Sequence, residues 1–244
     1  MTSSANDALE KLLANPRIWR GGSAMRNLDR EGAGAGIPTG YAALDRHLPG
    51  GGWPREALME VLVEGHGRGE LRLLMPALAR LSRAHDGHGD AGWITWIAPP
   101  LQPYPPALAQ WGMDLSRVLV VRPRRQADVL WAAEQALASG NCAAVLFWPE
   151  RTGGARAGDG HRARSRGRGP QAKASPFPSR RLQLAAEQGG SLGVAFRPAS
   201  ARFEISAAAL RLALTRGEHE TEVVILKSRG GRPVRVPGVF QFHA

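Results

Sequence analysis

The 244-residue chain has a single cysteine, Cys142, so no disulfide can form within it. This cysteine lies in the apolar run CAAVLFW, where we expect a small buried residue. The sequence contains no run of 18 apolar residues, and no early apolar stretch follows a basic segment, so neither a membrane span nor a secretory leader is predicted. We therefore expect a cytoplasmic protein.

The patterns of common catalytic centres are also missing. The seven histidines show no zinc-ligand spacing with cysteine or carboxylates. No Gly-x-Ser-x-Gly motif and no Ser/His/Asp arrangement is found. The sequence predicts no metal, no cofactor and no hydrolase site.

Acidic residues are scarce relative to basic ones: 21 Asp and Glu stand against 32 Lys and Arg, a formal charge of +11. This excess favours polyanionic partners, meaning nucleic acid or an acidic protein surface. An arginine-rich composition with no such partner is the alternative.

Two regions are predicted. Residues 1–36 form a polar N-terminal arm, in which DALEKLLANPRIW holds one short amphipathic helix ending near Pro16. Such an arm either docks on a neighbouring protein or is a frayed terminus. Its candidate partner-binding residues are Leu9, Leu12, Leu13 and Trp19.

Residues 37–244 alternate between strand and helix patterns, which predicts an α/β core with a mostly parallel central sheet and helices on both faces. The last segments add antiparallel strands, with a turn at Gly230–Gly231. The predicted strands are ALMEVLV, AGWITWIAP, RVLVVRP, CAAVLFWP and SLGVAFRP, and the predicted helices are LRLLMPALARLS, PPALAQWG, QADVLWAAEQALASG and RLQLAAEQGG.

A basic insert interrupts this core between residues 151 and 181. Apolar side chains are nearly absent from it, so we expect a flexible loop. Its only acid is Asp159, and its basic residues are candidates for salt-sensitive, sequence-independent binding to DNA, unless the loop is only a solvated linker. They are Arg151, Arg156, Arg162, Arg164, Arg166, Arg168, Lys173, Arg180 and Arg181.

The stretch EVLVEGHGRGELRLLMPALARLSR has the outline of a phosphate-binding loop between a strand and a helix. In the pattern G-x-x-x-x-G-K-[ST], backbone N–H groups surround the phosphates, lysine neutralises them and a hydroxyl holds magnesium. With Gly69 as the second glycine, Glu64 replaces the first glycine, Glu70 replaces the lysine and Leu71 replaces the hydroxyl residue. Gly65 and Gly67 preserve the shape, but the chemistry is lost. An ordinary glycine-rich turn is the alternative.

Residues 36–74, GIPTGYAALDRHLPGGGWPREALMEVLVEGHGRGELRLL, resemble the start of the RecA ATPase core. That family opens with the pattern I-x-T-G-x-x-x-L-D-x-x-L-x-G-G-x-P just before its phosphate loop. The matching residues are Ile37, Thr39, Gly40, Leu44, Asp45, Leu48, Gly51, Gly52 and Pro54. The similarity continues through RPRRQADVLWAAEQALASGNCAAVLFW and HETEVVILKSRGGRPV, and so covers roughly residues 36–242, which is most of the chain.

Within the RecA family the chain is most similar to the ImuA group, the SulA-related accessory proteins of damage-induced mutagenesis. The resemblance implies a RecA-like, P-loop NTPase-type core. It also implies partnership with ImuB, an inactive polymerase relative, and with an error-prone C-family polymerase, and a role in which RecA and DNA are further partners.

The ATPase residues of the family fall on unsuitable side chains here. The lysine and the magnesium-binding hydroxyl fall on Glu70 and Leu71, the general base falls near Pro99, and the carboxylate ending a later strand falls on Trp148. Each role needs a charge or a hydroxyl, so the resemblance implies a site that does not hydrolyse ATP. A surviving unconventional ATPase would need Arg68 or Arg72 in place of the lysine.

The aromatic residues suggest where the core and the partner surfaces lie. Trp93, Trp96, Trp131 and Trp148 lie in apolar runs and are predicted core residues, whereas the settings of Trp19 and Trp53 favour exposed anchors. Phe240 and Phe242 lie at strand spacing near the C-terminus, on either a capped edge strand or a partner-docking strand.

The sequence thus predicts a non-hydrolysing scaffold in SOS-induced translesion synthesis. Two competitors stay open: a division inhibitor of the SulA type that binds the tubulin-like ring protein, and a residual ATPase acting on DNA.

Overall fold

The computed structural model describes residues 35–67, 69–83, 92–149, 177–216 and 220–241. Eight strands form one sheet in the order β3-β2-β4-β5-β1-β6-β7-β8. The strands are β1 Leu58–Val63, β2 Trp93–Ile97, β3 Val118–Val121, β4 Cys142–Phe147, β5 Leu192–Pro198, β6 Leu210–Arg216, β7 Glu220–Ser228 and β8 Val234–Gln241.

Five α-helices lie in the described residues: α1 Ala42–Asp45, α2 Met75–Arg83, α3 Pro105–Gln110, α4 Gln126–Ala138 and α5 Ser179–Gly189. Short 3-10 helices cover Pro49–Gly51, Leu115–Arg117 and Ala199–Phe203. None of the described helices is both long and apolar enough to cross a bilayer.

The first six strands pair in parallel, and β6-β7-β8 pair antiparallel. Parallel neighbours need crossover connections, which here carry helices, whereas the last three strands follow one another directly. The predicted α/β class, the mostly parallel sheet and the C-terminal antiparallel strands are confirmed. The predicted turn at Gly230–Gly231 also lies between β7 and β8.

Both sheet faces are covered. On the α2 face, α1, α2 and α3 pack on a cluster that includes Met59 and Trp96. On the α4 face, α4 and α5 pack on a second cluster that includes Leu58, Val145 and Phe147. Neighbouring residues of a strand point to opposite faces, which is why Leu58 and Met59 belong to different clusters.

The segment before β1 is closed into a loop by backbone hydrogen bonds between its two ends. Ile37 and Trp53 form an antiparallel bridge with N–H···O distances of 2.7 and 2.8 Å. A Cβ on Gly52 would lie 2.2 Å from the Ile37 carbonyl oxygen, so only glycine fits there. Trp53 is 0% exposed. The prediction of an exposed anchor at Trp53 is therefore wrong, because the bridge carries its indole into the core.

Two predicted core tryptophans lie at the surface. Trp93 begins β2 with 39% of its surface exposed, and Trp131 on α4 is 62% exposed. The α4 residues Val129 and Ala133 face the core instead. Apolar runs on short elements include outward positions, which composition alone cannot separate from inward ones.

Helix α2 begins later than predicted. Residues 70–74 form turns and the helix starts at Met75. Pro76 is thus in the first helical turn, where its missing N–H costs no hydrogen bond.

The basic insert also ends earlier than predicted, because α5 starts at Ser179 and includes Arg180 and Arg181. Residues 150–176 lie outside the described residues, as do residues 1–34 and Phe242.

Candidate functional site

The glycine-rich loop follows β1, an interior strand between β5 and β6. It therefore lies at the carboxyl edge of the parallel strands, where open α/β sheets bind their ligands. The segment after β2 is close by, since a Cβ on Gly67 would lie 3.9 Å from Leu101 Cδ1. The loop is in the position that a nucleotide site requires.

Two of the loop glycines are required by the backbone. Gly67 has φ +76° and Gly69 has φ +97°, and residues other than glycine rarely adopt these backbone angles. Glu64 and Gly65 open the same turn, with Glu64 exposed and Gly65 partly buried. The loop shape thus depends on glycine, as the phosphate-loop comparison predicts.

Glu70 takes an acceptor role inside the loop. Its side chain is buried, with 3% of its surface exposed, and Oε1 accepts a hydrogen bond from the Gly67 N–H at 2.8 Å. In a phosphate loop such N–H groups serve phosphate oxygens. Here the Gly67 N–H donates instead to the carboxylate of Glu70. The negative charge of this carboxylate would repel a triphosphate bound in the loop.

Of the residues that follow Glu70, from 71 to 75, only Arg72 has a side chain that could bind a phosphate, and none has a side-chain oxygen for magnesium. The Leu71 side chain packs against the core cluster of the α2 face. Helix α2 is assigned from Met75, but helical hydrogen bonds already run through the turn before it, from the Leu73 N–H to the Gly69 carbonyl at 3.3 Å and from the Met75 N–H to the Leu71 carbonyl at 3.0 Å. The N–H groups of Leu73 and Met75 are therefore not available to a phosphate.

At the end of β2, the position assigned to the general base is occupied by Pro99, which is buried. Ala98 before it has φ +54°, which costs a non-glycine residue about 1 kcal/mol or more. The Ala98 N–H is bound to the Val121 carbonyl at 2.9 Å, which helps to hold this conformation. Residues 98–100 of this described strand end include no carboxylate.

At the end of β4, the position that the resemblance assigns to the second carboxylate is occupied by Trp148. It is 3% exposed and stacks on Phe196 with ring centroids 4.5 Å apart and planes 9° apart. Trp96 lies 6.0 Å from it in a tilted arrangement. An apolar aromatic stack thus occupies the end of this strand.

The turn after the loop is supported by the segment that carries the RecA resemblance. The Tyr41 hydroxyl donates to the Arg72 carbonyl at 2.9 Å, and burial raises the pKa of this phenol. A Cβ on Gly40 would lie 2.5 Å from Pro76 Cβ. Tyr41 and its neighbour Gly40, which belongs to the family pattern, therefore pack against the turn after the loop.

The Arg72 guanidinium lies 5.2 Å from the Phe240 ring centre, and Phe240 also contacts the Tyr41 ring. Arg72 is thus held against an aromatic ring, and Arg68 lies outside the described residues. Phe240 is 6% exposed, so its side chain belongs to the hydrophobic cluster on the α2 face of the sheet. A partner surface on this tail would be the outer edge of β8.

A buried charge cluster on the α4 face was not predicted from the sequence. Glu60 on β1 is fully buried and pairs with Arg211 on β6 at 3.0 Å, its direct cross-strand neighbour. Arg197 on β5 lies 3.8 Å from the same carboxylate and 2.9 Å from Glu204. The signal that could have revealed this cluster was one charged residue within each of three otherwise apolar strands, at a position that faces the core.

This charge cluster braces the segment after β5. Arg211 donates to the carbonyls of Ala201 at 2.7 Å and Glu204 at 3.0 Å, and Ser206 hydrogen-bonds to Glu60. Lys227 donates to the Ser206 carbonyl at 2.7 Å, and its pKa is lowered by burial and by Arg211. The cluster therefore has a structural role.

Of the predicted DNA-binding residues, only Arg180 and Arg181 are described. Both lie in the first turn of α5, and Arg181 pairs with Glu134 on α4 at 2.9 Å. The remaining basic residues from Arg151 to Lys173 lie outside the described residues, as do Leu9, Leu12, Leu13, Trp19 and Phe242.

The fold and the loop define an α/β protein with a mostly parallel sheet and a glycine-rich loop at the end of an interior strand. A search of solved structures finds similarity to the crystal structure of SulA from Pseudomonas aeruginosa, with 26% identity and a TM-score of 0.38, covering 57% of this chain and 97% of that chain. No family model and no curated protein matches the chain.

Proposed function

We propose that this chain is a non-hydrolysing, RecA-like accessory protein that acts as a scaffold in SOS-induced translesion synthesis. It would bind ImuB and support an error-prone C-family polymerase, with RecA and DNA as further partners.

The hydrogen bond from Gly67 to the buried Glu70 carboxylate carries this proposal. Because the Gly67 N–H already donates to Glu70, it cannot donate to a phosphate oxygen. The Glu70 carboxylate would also repel the negative charge of a phosphate. Leu71, Pro99 and Trp148 remove the remaining groups that phosphoryl transfer needs. A protein that has the sheet and the glycine-rich loop but lacks the groups for phosphoryl transfer is suited to a role in which it binds other proteins.

The parallel sheet with its antiparallel end agrees with what the RecA resemblance implies. The basic insert, residues 151–181, begins after β4 and ends in the first turn of α5, and both places lie at the carboxyl edge of the sheet. Nine basic residues in residues 151–181 supply a charge that favours DNA at low salt.

Copurification tests the scaffold role. The full chain is mixed with purified ImuB, and separately with RecA, and each complex is measured by size-exclusion chromatography. We expect ImuB to elute with the full chain and with the Glu70→Ala variant, since the proposed role needs no nucleotide.

Two shortened chains, one lacking residues 1–34 and one lacking residues 242–244, identify the surface that binds. Failure of the full chain to bind ImuB at micromolar concentrations would refute the scaffold proposal. Co-sedimentation with polymers of the tubulin-like division protein would favour a division inhibitor instead.

A further inference from the structure

An open groove of about 590 Å³ lies at the carboxyl end of β3, the edge strand of the sheet. Val121 and Pro123 line it on one side, and Trp131 and Ala132 of α4 line it on the other. Neither the loop after β1 nor the proposed role uses this groove. It is a separate surface with its own chemistry.

Trp131 is the main aromatic surface of the groove. It is 62% exposed, while its neighbours Val129 and Ala133 on α4 are buried. A single exposed indole is not unusual in itself, but this one lies beside an open groove. It presents a flat aromatic face on which a planar group can stack.

The groove is also basic. Arg122 and Arg125 line it, and Arg124 lies exposed on the same turn, against one acidic residue, Asp128. The Arg125 guanidinium makes two 3.1 Å hydrogen bonds to Asp128, which fixes that pair and raises the pKa of Arg125. Three arginines and one aspartate leave a net charge of +2 around the indole.

We propose that this groove binds single-stranded nucleic acid, with one base stacked on Trp131 and the neighbouring phosphates held by Arg122 and Arg124. Aromatic rings flanked by cations bind single strands without regard to sequence, because every base has a flat π-face. The inference rests on the proposed DNA-binding role, but it assigns that role to a site distinct from the basic insert.

The position of the groove fits this assignment. Strands β3 and β4 are parallel members of one sheet, so the groove after β3 and the start of the insert after β4 lie at the same edge. Arg181 on α5 pairs with Glu134 on α4, one turn beyond Trp131, and α5 directly follows the insert. The groove and the described ends of the insert therefore lie at the same edge of the sheet.

Binding of a fluorescein-labelled oligothymidylate to the full chain, followed by anisotropy, tests the proposal. Trp131→Ala should weaken binding at least about fivefold, since stacking of one base contributes that much or more. Trp131→Phe keeps an aromatic face and should stay within about twofold of the original chain. Trp111→Ala is the matched control, because Trp111 is 41% exposed at the end of α3 on the opposite sheet face.

The salt dependence identifies the arginines that neutralise phosphates. Replacing Arg122 and Arg124 by alanine should lower the slope of log K against log salt by about 0.7 for each phosphate that is no longer neutralised. Trp131→Ala should lower the affinity and leave this slope unchanged. An acidic peptide as the true occupant would give competition by poly-glutamate and no weakening with Trp131→Ala, which would overturn the proposal.

A variant with the arginines between 151 and 168 changed to alanine separates the two DNA proposals. If this variant loses affinity and Trp131→Ala does not, the groove is wrong and the insert is the DNA site. If Trp131→Ala loses affinity and the insert variant does not, the groove stands and the insert proposal fails. No binding by the full chain at low salt would overturn the groove, while the ImuB experiment still decides the scaffold role.

Discussion

At the residue scale, internal pairing satisfies charges that would otherwise serve a ligand or destabilise the core. Glu70 accepts from its own loop, and Glu60 compensates two buried arginines. That Glu70 stands where the resemblance expects a lysine was evident from the sequence. Its burial and its bond to Gly67 were not, because spacing does not reveal which way a carboxylate turns.

Replacing Glu60 by glutamine should lower the free energy of unfolding by about 3–5 kcal/mol, because Arg197 and Arg211 would be left buried without their shared carboxylate. Urea unfolding followed by circular dichroism measures the change. Glu222→Gln is the control: its partner Arg235 is 73% exposed, and the loss of this surface pair should cost about 1 kcal/mol or less. Equal effects of the two substitutions would show that the buried cluster does not stabilise the fold as described.

At the element scale, strands and helices were largely predictable because periodicity and length are strong signals. The strands β1 to β5 and the helices α4 and α5 lie where the apolar patterns placed them. The predictions were wrong where contacts between distant residues determine the start of a helix or the burial of a side chain. The start of α2 shifted to the residue before Pro76, and the bridge between Ile37 and Trp53 buried a tryptophan in a glycine-rich setting.

The bridge before β1 gives a prediction for this element. Gly52→Ala should destabilise the chain by about 2 kcal/mol or more, because the new Cβ would meet the Ile37 carbonyl oxygen at 2.2 Å. Gly51→Ala is the neighbouring control: its φ of +73° causes strain of about 1–2 kcal/mol, but its Cβ would meet no atom within 4 Å. Thermal unfolding compares the two, and a higher Tm for Gly52→Ala than for Gly51→Ala would contradict the role of the bridge.

At the scale of the whole molecule, the chain combines a parallel sheet, a loop in nucleotide-site position and an excess of positive charge. The fold class was predictable from the alternation of elements. The Trp131 groove was not, because it is formed by residues from β3 and α4 that the sequence placed in the core or left unassigned. Surfaces of this kind emerge only when the elements are packed.

The central claim is that the glycine-rich loop keeps its shape while its groups cannot hold or split a triphosphate. Steady-state phosphate release from ATP, measured with magnesium for the purified chain and for Glu70→Ala, tests it most directly. We predict no magnesium-dependent turnover above the buffer rate for either protein, since Leu71, Pro99 and Trp148 supply no catalytic group even when the carboxylate is removed. Turnover by the original chain that is abolished by Gly69→Ala, whose φ of +97° alanine tolerates poorly, would contradict the account.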